Sequence, residues 1–181
     1  MGIPELPSVS KIVCTIIVGA IPKLVVLILS AVVAATIADM YTGAEETPAS
    51  ICAVLDLRYG QRRDRAPRIC FNGVATSIIS VFTALTLIQV DLLLICAPIK
   101  SIKRLGHAFN LLVSFGMGVF WLITSALLAD LYRDYCDKLD DRGDECTDTD
   151  ERFIATPILG FCTLVGWGVI TLISLIRVIT G

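Results

Sequence analysis

The chain has 181 residues, 55% of them hydrophobic and only 18% charged, with a mean hydropathy of +0.79 and a formal net charge of −2. A soluble domain carries charge near a quarter of its composition, a disordered chain is poor in apolar residues, and a nucleic-acid binder shows a basic excess, so all three are excluded. What remains is a small integral membrane protein.

A helix needs about 20 mostly apolar residues to cross roughly 30 Å of hydrocarbon. The first stretch that qualifies runs from about Ile12 to Ala38. Leu24–Ala35 has the look of a signal-peptide core, with Ala34-Ala35 as a small-residue cleavage mimic. The segment ahead of it is too long and contains Pro22, so the stretch is read as a retained span. The second span runs from about Phe71 to Ala97, the third from about Ala108 to Ala129, and the fourth from about Ile154 to Ile176. They are apolar all round, and no ten-residue alternation suggests barrel strands. The fold expected is an all-α integral membrane protein: one four-helix transmembrane bundle over residues 1–181, with two extracytoplasmic loops.

The connections are unequal. Loop one (about Asp39 to Cys70) and loop three (about Asp130 to Arg152) are long and polar, whereas loop two (Pro98 to His107) is short. Thirteen charged residues crowd between Arg133 and Arg152. Loop one suggests a short helix, with Thr47 as N-cap, Pro48 at its first position, and Ile51, Val54 and Leu55 on one face.

Two signals disagree about sidedness. Loop two carries Lys100, Lys103 and Arg104 without an acid, but loops one and three together hold nine Lys and Arg, and a literal positive-inside count puts those long loops in the cytoplasm. The cysteines point the other way. Cys52 and Cys70 bracket part of loop one, and Cys136 and Cys146 part of loop three. One pair per loop suits disulfides on the oxidising face, with four unpaired thiols as the alternative. With the cysteines given the greater weight, both termini are cytoplasmic. Cys14 and Cys96 then fall near the cytoplasmic ends of spans one and two, where S-palmitoylation is chemically feasible, although buried packing is the simpler role for both and for Cys162.

Two ionisable residues lie inside the spans, Lys23 and Asp91. An intramembrane charge is expensive and is expected to be paired or functional. Measured at 1.5 Å per residue from Lys11 and Lys100, Lys23 lies about 18 Å deep and Asp91 about 13 Å. Spans one and two are antiparallel neighbours, so these levels nearly coincide and a Lys23–Asp91 ion pair is expected. A transport path would need further polar residues on the same faces, and span two offers Thr83, Thr86 and Gln89. Small residues spaced by four (Ser30/Ala34, Ala31/Ala35, Gly73/Ser77, Ser114/Gly118, Cys162/Gly166), with Gly160 and Gly168 beside the last pair, are read as close-packing positions, and Trp121 and Trp167 as mid-span packing residues.

Nothing in the sequence assembles into an enzyme. His107 is the single histidine and has no nucleophile at a recognisable spacing; no phosphate loop or zinc signature is present. The acids of loop three lack calcium-loop spacing, and Arg142 interrupts them. No catalytic residue, metal or cofactor is therefore expected.

Gly118-Val119-Phe120-Trp121 in span three, the two-cysteine third loop, and the small-residue and aromatic stretch Ala155 to Trp167 opening span four resemble the MARVEL-domain proteins, in particular compact fungal members and gyrins. The resemblance covers about Lys11 to Ile179, and the long Arg-rich loop one departs from it. Claudins and tetraspanins are poorer matches, because the Gly-Leu-Trp stretch of the first and the Cys-Cys-Gly motif of the second are missing. The resemblance implies a non-enzymatic membrane-organising protein of the plasma membrane or endomembrane vesicles. It would associate laterally with lipids, sterols among them, with itself or with a larger membrane protein, and not with nucleic acid. The alternatives are an auxiliary subunit of a channel, pump or transporter, and a small ion or proton transporter using Lys23 and Asp91.

Overall fold

The computed structural model describes residues 9–42, 65–96, 99–140 and 151–180, and all of them but Ile99 are α-helical. The helices are α1 (Val9–Thr42), α2 (Arg65–Cys96), α3 (Lys100–Asp140) and α4 (Glu151–Thr180). Each is long and apolar enough to cross a membrane. Helices suit that solvent because every backbone N–H and C=O bonds within its own segment. Pro22 lies inside α1 and Pro157 inside α4 without ending either helix.

Each helix packs on its chain neighbours, and α4 closes back on α1, so the four form a ring. Pairs across each seam show that all neighbours are antiparallel. Between α1 and α2, Lys23 meets Asp91, Ser30 meets Ser80 and Ile37 meets Gly73. Between α2 and α3, Asp91 meets Asn110 and Thr76 meets Thr124. The α3–α4 seam matches Ser114 with Thr171 and Ser125 with Gly160, and the α4–α1 seam matches Gly19 with Arg177 and Val26 with Gly166.

The distribution of polarity is the reverse of a soluble protein's. Ser30, Thr76, Ser77, Ser80, Asn110, Ser114, Thr124, Ser125, Thr156, Thr163 and Ser174 are buried beside an apolar core of Val26, Val33, Leu87, Trp121, Trp167 and Ile170. Large side chains such as Phe71, Phe82, Leu93, Leu112, Phe115 and Val165 face outward. Water would drive those side chains in; lipid does not, and polar groups are the ones that gain by turning away from it. The protein is an integral membrane four-helix bundle.

The helices outrun the spans read from hydropathy. Loop one is shorter at both ends, since α1 continues to Thr42 and α2 begins at Arg65. Loop two is not Pro98 to His107, because α3 starts at Lys100. Loop three does not begin at Asp130: α3 continues to Asp140 and carries Cys136 on its last turns. Hydropathy marks where lipid begins, but Lys, Arg and Glu are good helix formers and carry a helix past that limit. The short helix expected at Thr47 lies outside the described residues.

Candidate functional site

Near one end of the bundle, a polar cluster draws on all four helices. Lys23 of α1 points inward and is only 3% exposed. Its Nζ donates to Asp91 Oδ2 at 2.7 Å and to the Leu87 carbonyl at 3.1 Å. Asn110 of α3 donates its Nδ2 to the other carboxylate oxygen, Oδ1, at 2.7 Å. Arg177 of α4 brings Nη1 to 3.4 Å from Oδ2. Asp91 is therefore bound by one donor from each of the other three helices. Charge-assisted hydrogen bonds of this kind are the stronger ones, and the low dielectric around them raises the loss if one partner is removed.

Gly19 makes the cluster geometrically possible. A Cβ at this position would lie 2.9 Å from Asp91 Oδ2 and 3.0 Å from Arg177 Nη2. The bare backbone lets the carboxylate and the guanidinium meet across the face of α1.

About 16 Å along α2 at helical rise, a second cluster is built without charge. Ser80 Oγ accepts from Trp121 Nε1 and from Trp167 Nε1, both at 3.0 Å, and lies 2.7 Å from Ser30 Oγ. Indole N–H groups only donate, and a hydroxyl oxygen has two lone pairs. Both lone pairs are taken by the indoles, so the Ser80 proton is donated to Ser30. Thr76 and Thr124 at 3.0 Å, and Thr171 donating to Ser114 at 3.1 Å, add single bonds across two seams.

The expected Lys23–Asp91 contact is present at 2.7 Å. Asn110 and Arg177 were not expected to join it. The signal for Asn110 was its place as the lone amide in an apolar span; Arg177 fell one residue past the fourth span as hydropathy drew it. Of the residues offered as the rest of a transport path, Gln89 and Thr86 are exposed, Thr86 donating to its own helix's Phe82 carbonyl at 2.9 Å, and Thr83 is half-buried. Trp121 and Trp167 are packing residues with no exposure, and they are also the two donors to Ser80.

Of the small-residue positions, Ser30, Gly73, Ser77, Ser114 and Gly160 face inward, while Ala31, Ala35 and Gly168 face outward. Cys162 is not a buried packing residue. It is an exposed free thiol, because Gly160, Thr163 and Trp167 take the inward positions of that part of α4. Cys70 and Cys136 are both disulfide-bonded, and Cys70 is 2% exposed. Cys52 and Cys146 lie outside the described residues, as do the side chains of Cys14 and Cys96. Among the described residues, no three His, Cys, Asp or Glu side chains come together in a metal-binding group.

No family model, curated protein or solved structure matches the chain.

Proposed function

We propose that this chain is a non-enzymatic, MARVEL-like membrane-organising protein that acts by lateral association with lipids and membrane proteins. The observation that carries this reading is the division of polarity between inside and outside. The buried polar clusters bind the four helices to one another, with Asp91 and Ser80 each bonded from three directions. What is left for other molecules over most of the spans is an apolar outer face. Such a face recruits by shape and by lipid preference, not by chemistry on a substrate.

In this reading the bundle lies in the plasma membrane or endomembrane vesicles, with both termini cytoplasmic and the Cys70 and Cys136 ends on the oxidising side. The disulfides run Cys52–Cys70 and Cys136–Cys146. Non-reducing peptide mapping tests that pairing, and free thiols at all four positions would reverse the topology.

Purification in mild detergent followed by native gel electrophoresis tests the function. Self-association, or a spread of sub-stoichiometric membrane-protein partners with co-purified lipid, is expected. A single stoichiometric large partner would identify an auxiliary subunit instead. Proteoliposome ion or proton flux that disappears in Asp91→Asn would make Lys23 and Asp91 a transport site.

A further inference from the structure

The end of the bundle that holds Asp91 also carries charge on its outer surface. Lys100, Lys103, Arg104 and His107 are spaced by three and four on the first two turns of α3, so they share one side of that helix. The three cations are exposed, and His107 is partly buried. No acidic residue occurs between Asp91 and Asp130 in the sequence. At the inner end of the row, two buried polar atoms have no hydrogen-bond partner: Nδ1 of His107 and, one turn further, Oδ1 of Asn110. Asn110 is 1% exposed and is held in place through its other amide atom by Asp91. Further along the same side of α3, seven, eleven and eighteen residues beyond Arg104, Leu111 is half-buried and Phe115 and Leu122 are exposed and apolar.

A row of cations where a helix leaves the hydrocarbon, in line with an apolar stripe that continues into it, matches the two halves of a phospholipid. The phosphate meets ammonium and guanidinium groups while the acyl chains lie along the apolar stripe. A zwitterionic lipid offers the same chains but adds a cation that this row repels. Free phosphate offers the charge without the chains.

We infer that the first two turns of α3 bind the headgroup of an anionic phospholipid, with its phosphate on Lys100, Lys103 and Arg104 and its inner edge at His107. The inference rests on the lateral-association reading and deepens it by naming the lipid class.

The test is native mass spectrometry of the full-length protein in detergent micelles carrying equal phosphatidylglycerol and phosphatidylcholine. Selective retention of phosphatidylglycerol is expected. At roughly fivefold per cation removed, the triple variant Lys100→Gln, Lys103→Gln, Arg104→Gln should bind it about a hundredfold more weakly. The single variant Lys103→Gln should show the fivefold step by itself, which keeps the test open if the triple variant folds poorly. Arg133→Gln, in the last turns of α3, should change nothing. Equal retention of the two lipids, an equal loss in Arg133→Gln, or displacement of phosphatidylglycerol by equimolar inorganic phosphate would overturn the site. Cross-linking of the same samples separates the two claims. Lateral association without lipid selectivity removes the site alone, and selectivity without any lateral association removes the functional reading while supporting the site.

Discussion

Asp91 and Ser80 sit on the same helix, and each is gathered by one residue from each of the other three. They do so with different chemistry. Asp91 uses a carboxylate, two cations and an amide near one end of the bundle, where its side chain keeps 15% exposure. Ser80 uses two hydroxyls and two indoles and has no exposure at all. The contrast shows how depth selects chemistry. A charge is tolerated where water and headgroups are close, whereas in mid-bundle the same task of joining four helices falls to neutral groups whose donors and acceptors balance.

The difference predicts unequal responses to mutation. Asp91→Asn strands the buried Lys23 ammonium and should destabilise the bundle most, by about 3–5 kcal/mol, read as an earlier unfolding midpoint in detergent. Adding Lys23→Gln to that variant should recover part of the loss; a double variant no better than the single would mean that Lys23 and Asp91 are not energetically coupled. Ser80→Ala leaves two indole N–H groups and the Ser30 hydroxyl without their shared partner. The expected loss is about 2 kcal/mol, with tryptophan fluorescence reporting the changed indole environment. If Ser80→Ala proved as damaging as Asp91→Asn, the distinction between a charged and a neutral cluster would have no energetic meaning.

Smaller effects sharpen the same contrast. Gly19→Ala forces a methyl group against Asp91 and Arg177 and should cost roughly 1–2 kcal/mol through overpacking. A matched change at Gly168, which has nothing within 4 Å of its would-be Cβ, should be nearly silent in the same assay. Thr76→Val removes one hydroxyl contact with Thr124, and about 0.6 kcal/mol is expected, the average for a single hydrogen bond between membrane helices.

How much was legible in the sequence differed between the two clusters. Lys23 and Asp91 stood out because a charge within an apolar run has few explanations, and antiparallel neighbours place their depths together. Asn110 and Arg177 were missed because joining them requires knowing that α3 and α4 both face α2 and α1 at that level, which no spacing along one helix gives. Ser80 was invisible for another reason: serine is common in membrane helices, and only the convergence of Trp121 and Trp167 sets it apart. Cys162 shows the reverse error. Its small size and its spacing from Gly166 suggested packing, but spacing alone leaves the helix's rotation undetermined, and α4 turns Thr163 inward in its place.

By itself, the amino-acid sequence determined that this protein lives in a membrane and crosses it four times. The reason is that hydrocarbon demands about 20 mostly apolar residues per helix, and that demand is written locally. The tertiary structure decided how far each helix continues beyond the lipid, which side of each turns inward, and which four residues meet at Asp91 and at Ser80. Those outcomes depend on helix rotation and on the closure of α4 against α1, and both are set by polar groups seeking partners across seams where lipid offers none.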